Sequence, residues 1–147
     1  MQRLTLIALG CLALGLLVGF GPDAPDNKHA ASARATAEAY LEGFLDADAE
    51  VLEELLHYDW QMSGMTPNGQ YFMLLRDDYL DRVREAAARE DRTAYTGRVA
   101  DVVVHGSVAI ATFEIESDRA AFVECLSMVR TEAGWRVVQK IFDVTMK

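Results

Sequence analysis

FVECLSMVRTEAGWRVVQKIF, residues 122–142, is the stretch from which the fold can be worked out. Two apolar, β-rich runs flank Glu132-Ala133-Gly134, a short polar connection with one glycine, and that pattern marks an antiparallel hairpin. The second strand opens on Trp135 and carries Val137, Val138, Ile141 and Phe142, residues that fit a pleated, half-buried surface. Strict alternation puts Phe122, Glu124, Leu126 and Met128 on one face of the first strand, the one turned toward the helices. On the second strand it groups Trp135, Val137, Gln139, Ile141 and Asp143 on one face. Arg136, Val138, Lys140, Phe142 and Val144 share the other.

Working back toward the N-terminus, the period stays at two as far as Tyr95. Val99–Val104 and Val108–Ile115 read as strands around His105-Gly106-Ser107. Upstream the period lengthens. Ala37, Tyr40, Leu41, Phe44 and Leu45 form one apolar stripe, which predicts a helix over Ala33–Leu45. Asp48 is placed to cap a second, short helix built on Val51, Leu52, Leu55 and Leu56 and ending near His57-Tyr58-Asp59. Trp60–Met65 reads as a short strand, Thr66-Pro67-Asn68-Gly69 as a turn, and Tyr71–Leu75 as a returning extended segment. A third helix follows from about Asp77 to Glu90, with Tyr79, Leu80 and Val83 inward and Arg82, Arg84, Glu85 and Arg89 on a solvated face. The expectation is an α+β domain: a curved, cone-shaped antiparallel sheet wrapped around three helices, open at one end where ligands collect.

Residues 1–33 stand apart from this domain, which occupies 34–147. Arg3 precedes Leu4–Gly21, a run without charge, and Pro22, Asp23, Pro25, Asp26 and Asn27 end it. That is an export signal or an uncleaved N-terminal anchor, and the expected location is periplasmic or secreted, with membrane contact only through residues 4–21 if the segment is retained. Ala31-Ser32-Ala33 fits a signal-peptidase site that would start the mature chain at Arg34. Cys11 does not close the apolar run, and Leu9 is large for a lipoprotein signal. Cys125 is then alone, so no disulfide within the chain stabilises the domain; a cysteine in an apolar strand is ordinarily a small buried hydrophobe. Arg3 and Lys28 balance Asp23 and Asp26, which leaves the whole net charge of −9 on the domain. An acidic domain with no basic cluster does not bind nucleic acid or anionic lipid.

Four segments resemble the nuclear-transport-factor-2-like superfamily, the cone fold shared by ketosteroid isomerases and SnoaL-like polyketide cyclases. They are Tyr40-Leu41-Glu42-Gly43-Phe44 with Asp46-Ala47-Asp48; His57 with Asp59; Arg76-Asp77-Asp78-Tyr79-Leu80; and Gly134–Phe142. The branch most similar is the one labelled "putative lumazine-binding". The resemblance covers about residues 34–147. It implies a pocket for a small apolar or aromatic molecule and a homodimer formed through the sheet.

Candidate site residues follow from both readings. Glu124, a carboxylate among core-facing apolar residues, is the foremost; the alternative is a solvated position at the open rim. By analogy with the family, His57 and Asp59 sit near the cone mouth, and Tyr40, Phe44, Trp60, Met62 and Tyr71 line it, with Asp143 on the last strand. An isomerase, cyclase or dehydratase would use Glu124 or Asp59 as base and Tyr40 or Tyr71 as acid. Lys140 matches a lysine of the family, with Glu114 available as its partner. His57 also suits the C-terminal end of the second helix. No metal is expected, since His57-x-Asp59 lacks the third and fourth ligands, and no cofactor is expected: no P-loop, dinucleotide glycine pattern, CxxC or Ser-His-Asp order occurs. Three functions stay open: a non-catalytic binder, an enzyme of the isomerase kind, and a membrane-tethered dimerising structural module.

Overall fold

The computed structural model describes residues 27–147. The leader reading of residues 4–21 therefore lies outside the described residues. The elements are α1 (Asn27–Asp46), α2 (Ala49–Leu55), β1 (Leu56–Met65), β2 (Tyr71–Leu75), α3 (Arg76–Ala87), β3 (Thr96–His105), β4 (Val108–Glu116), β5 (Ala120–Thr131) and β6 (Gly134–Met146). The six strands form one curved, unclosed sheet in the order β2-β1-β6-β5-β4-β3. All neighbours are antiparallel except β1 and β6, which run parallel. The sheet is thus mixed and not the antiparallel one expected, because β1 enters beside the last strand after two helices instead of through a hairpin.

Local chemistry explains the element ends. α1 closes on Ala47, whose φ of 55° is left-handed. The Ala47 N–H donates to the Phe44 carbonyl (3.2 Å) and the Asp48 N–H to that of Gly43 (2.8 Å), the paired bonds of a Schellman ending. Asp48 then caps α2 as expected, its Oδ1 accepting from the Glu50 and Val51 N–H groups at 3.1 Å each. α2 ends at Leu55, and His57, Tyr58 and Asp59 belong to β1, so His57 does not cap a helix. Gly134, at φ 102°, turns the β5–β6 hairpin.

α1 begins six residues before Ala33 and passes through the Ala31-Ser32-Ala33 segment. Ala33 is fully buried, and Ser32 Oγ accepts from the Trp135 indole N–H at 3.1 Å. The core lies between the helices and the concave face of the sheet. Trp60, Tyr40, Phe113, Leu126 and Met128 are among its large fully buried side chains, and each contributes about 1.5–3 kcal/mol of burial. Cys125 is half-buried on the other, convex face, near Thr112, and not a core residue.

Two strand irregularities set which side chains of β3 and β6 face the cone. Val99 pairs with Phe113 but Asp101 with Thr112, so Ala100 is an extra residue in β3. Ser127 pairs with Gln139 but Met128 with Val137, so Val138 is an extra residue in β6. A bulge reverses the facing of everything beyond it. Trp135 and Val137 face the core, and after the bulge Lys140, Phe142 and Val144 do so, while Ile141 and Asp143 turn outward.

Candidate functional site

The bulge at Val138 aims Lys140 into the cone, where the expected alternation had set it on the face opposite Trp135 and Val137. Leu126 sits directly across from Lys140 and Phe142 across from Glu124, so the lysine and the carboxylate are diagonal neighbours on the concave face. Lys140 Nζ donates to Glu124 Oε1 at 2.9 Å, and the residues are 3 % and 4 % exposed. Glu124 is therefore no solvated rim residue. Nor does Lys140 pair with Glu114, which faces outward and bridges Arg98 at 2.6 Å. The Lys140 ammonium also lies 5.3 Å from the Phe44 ring centre and 5.4 Å from that of Tyr79, so aromatic faces take part of the place of water around the charge.

A cavity of about 170 Å³ opens beside this pair. Phe44, Met62, Tyr79, Tyr95, Phe122 and Phe142 wall it, and Glu124 and Lys140 are the charged residues among its lining. Glu124 Oε2 is buried and accepts no hydrogen bond from any described residue, so the floor carries a strong acceptor with no donor of its own. A second cavity of about 230 Å³ shares Phe44, Met62, Tyr79 and Tyr95 as walls and adds Arg82 and Arg92. Larger hollows of about 460 and 470 Å³ lie over Arg98 and Glu114 and over Asp59 and Asp77. Mostly exposed residues line those two, and the apolar walls and buried charges belong to the cone.

Electrostatics around the floor favour protonated partners. Tyr40 and Tyr79 are buried with their hydroxyl oxygens 3.3 Å apart. Burial raises both above the ordinary tyrosine value; the Glu124 carboxylate raises Tyr40 further, and Tyr40 raises Tyr79 further. For Lys140, burial works against the charge, but the Glu124 carboxylate and then Tyr79 outweigh it, and the ammonium holds its proton more tightly than a free lysine.

The expected residues divide accordingly. Phe44, Met62 and Glu124 come together as walls and floor. Tyr40 stands behind Tyr79 and does not line the cavity; Trp60 stacks on Tyr79 with ring centres 4.6 Å apart and fills the core. His57 and Asp59 lie along β1, 3.9 Å from each other, and Asp59 belongs to the hollow near Asp77. Tyr71 is 69 % exposed on edge strand β2, and Asp143 faces outward after the bulge. Sequence reasoning missed Tyr79, Tyr95, Phe122 and Phe142 as walls. The Val137-Val138 doublet, which breaks strict alternation, was the available signal for the bulge. No group of three or more metal-ligating side chains occurs among the described residues.

The geometry defines a cone with an apolar, charge-floored interior, and comparison places the chain in a family. Residues 28–143 match the family described as "Putative lumazine-binding", and the protein belongs to it. Solved structures of the nuclear-transport-factor-2-like class share the fold. An NTF-2-like protein of unknown function from Silicibacter pomeroyi is 23 % identical, with a TM-score of 0.69 over 81 % of this chain and 98 % of that one. One from Shewanella baltica is 14 % identical, TM-score 0.70, over 84 % and 98 %. A ketosteroid isomerase-like protein from Erwinia carotovora is 18 % identical, TM-score 0.59, over 79 % and 95 %. No curated protein matches the chain.

Proposed function

We propose that this is an exported small-molecule-binding domain whose ligand sits in the cone against Glu124 and Lys140. The observation that carries the reading is a cavity walled by aromatic side chains and floored by the buried Glu124–Lys140 pair, whose Glu124 Oε2 has no donor among the described residues. An apolar pocket with a few convergent polar groups is the usual form of a ligand site. The family description favours the same kind of ligand, a small aromatic heterocycle. Catalysis by Glu124 or Asp59 with Tyr40 or Tyr71 is less well supported. Asp59 and Tyr71 lie outside the cavity, and the Tyr40 hydroxyl meets that of Tyr79. Export rests on the Leu4–Gly21 run, and the burial of Ala33 favours a mature chain that retains residues 27–33.

The convex face supports a homodimer as part of the same proposal. Val103, Val108, Ile110, Val123 and Ile141 are each 42–52 % exposed on adjacent strands, and apolar side chains exposed across one sheet face suit an association surface. Native mass spectrometry of the protein purified from its exporting host tests both parts. A reproducible extra mass of small-molecule size, lost in Met62→Trp, and a dimer dissociated by Ile141→Lys are expected. A bare mass in repeated preparations, with no stabilisation by any small aromatic compound, would overturn the binding assignment.

A further inference from the structure

We infer that the ligand is a hydroxyaryl carboxylate: a single uncharged ring carrying a hydrogen-bond donor, held in the inner cavity, with an anionic tail in the outer one. The inference rests on the binding reading above and assigns the chemistry of that same site. Size comes first. An enclosed cavity of about 150 Å³ lined by apolar side chains accommodates benzene, and the cavity over Glu124 and Lys140, about 170 Å³ and open on one side, has room for one six-membered ring with a small substituent. Its walls include the faces and edges of Phe44, Tyr79, Tyr95, Phe122 and Phe142, which suits a flat ring.

Charge comes second. Glu124 and Lys140 neutralise each other on the floor, so a charged group beside them would be desolvated without a counter-charge. The inner part of the ligand is therefore neutral. Hydrogen bonding then selects a donor. Glu124 Oε2 has no donor among the described residues and can only accept, so a ligand O–H or N–H that reaches it makes a hydrogen bond that no described group makes.

The outer cavity supplies the tail. Leu45, Leu74, Val83 and Ala86 line it, together with Arg82 and Arg92. Neither guanidinium forms an ion pair with a described residue; Arg82 instead lies over the Phe72 ring at 5.7 Å. No carboxylate is among the walls of this cavity, although the chain carries a net charge of −9. Two unpaired guanidinium groups at one mouth of an acidic protein suit a carboxylate. The four shared walls set the two cavities side by side, so a ligand with a short flexible link spans both.

The test is calorimetric titration of the purified protein with four probes: toluene, phenol, 3-phenylpropanoate and 3-(4-hydroxyphenyl)propanoate. The hydroxy acid is expected to bind about tenfold or more tighter than the acid lacking the hydroxyl, the gain of a hydrogen bond to a charged acceptor. It should also exceed phenol, and Arg82→Ala with Arg92→Ala should remove about three- to tenfold of its affinity while leaving phenol unchanged. Met62→Trp, or Phe122→Trp if that variant does not fold, should abolish binding of all four. If toluene binds and the filled variants lose it, but hydroxyl or carboxylate adds nothing, this inference is overturned and the cavity reading stands. If none of the four binds at millimolar concentration, or the filled variants bind them as well as the parent, the cavity reading falls and the inference with it.

Discussion

Replacing Lys140 with methionine removes the charge and keeps most of the stem, and its cost can be worked from the surroundings. Glu124 is 4 % exposed, and among the described residues its Oε2 has no donor and its Oε1 has only the Lys140 ammonium. Lys140→Met therefore leaves a buried carboxylate with nothing to balance it, a change that costs about 3–5 kcal/mol. The lost ammonium contacts with the Phe44 and Tyr79 rings add to the same side. Glu124→Gln strands the ammonium instead and belongs in the same range. Exchanging both for apolar residues, Glu124→Leu with Lys140→Met, removes the desolvation cost together with the attraction and is expected to be close to neutral or to stabilise by about 1–4 kcal/mol. Urea unfolding of the four proteins, followed by tryptophan fluorescence, gives the cycle. The single variants should lie well below the parent, and the double variant far above the sum of their losses. Since a domain of this size holds only about 5–15 kcal/mol in total, the single variants need to be measured cold. Additive effects of less than about 1 kcal/mol each would show the pair to be solvated and would refute the reasoning.

Alkaline pH acts on the same cluster. Tyr40, Tyr79 and Lys140 all have folded values raised above those of the unfolded chain. Their contribution is complete below pH about 10 and is lost as pH rises toward the folded values, at up to about 1.4 kcal/mol per pH unit for each group; the urea midpoint should fall steeply above pH about 10, and a flat profile there would contradict the burial of the three. In Gly64→Ala the new Cβ would meet the Phe142 carbonyl oxygen at 2.5 Å and its ring at 2.7 Å, so β1 must draw away from β6 at a cost of about 1–3 kcal/mol, measurable by thermal unfolding. Starting the chain at Arg34 removes Ala33 and the Ser32 acceptor of the Trp135 indole. That truncation should cost about 1–3 kcal/mol relative to residues 27–147, and Ser32→Ala should reproduce part of it in a chemical-denaturation series.

Much of the fold was legible because its signals are local. Asp48 announced the cap of α2, Asn68-Gly69 the β1–β2 turn, and the alternation of β5 set Glu124 beside Leu126 and Met128 on the buried face. The parallel neighbour of β6 was not legible, since strand order is a long-range property and nothing within β1 names its partner. The site was half readable for a related reason. Phe44 and Glu124 lie on elements of regular period and Met62 follows the local alternation from Trp60, whereas Lys140 and Phe142 reach the cone only because the extra residue at Val138 reverses the facing of β6. The same reversal turned Asp143 outward, and the start of β1 at Leu56 put His57 and Asp59 in a strand and not in the last turn of α2. Glu114 failed as the partner of Lys140 because it faces the convex side, across from Arg98.

A hollow cone that admits a small aromatic molecule against the Glu124–Lys140 floor is tested most directly by titrating toluene into protein carrying labelled methionine methyl groups, read by NMR. Met62 walls both cavities, while Met65 and Met73 are exposed. A saturable shift at the Met62 methyl, with Met65 and Met73 unmoved, is the predicted result; a Met62 signal indifferent to toluene up to saturation would contradict the account.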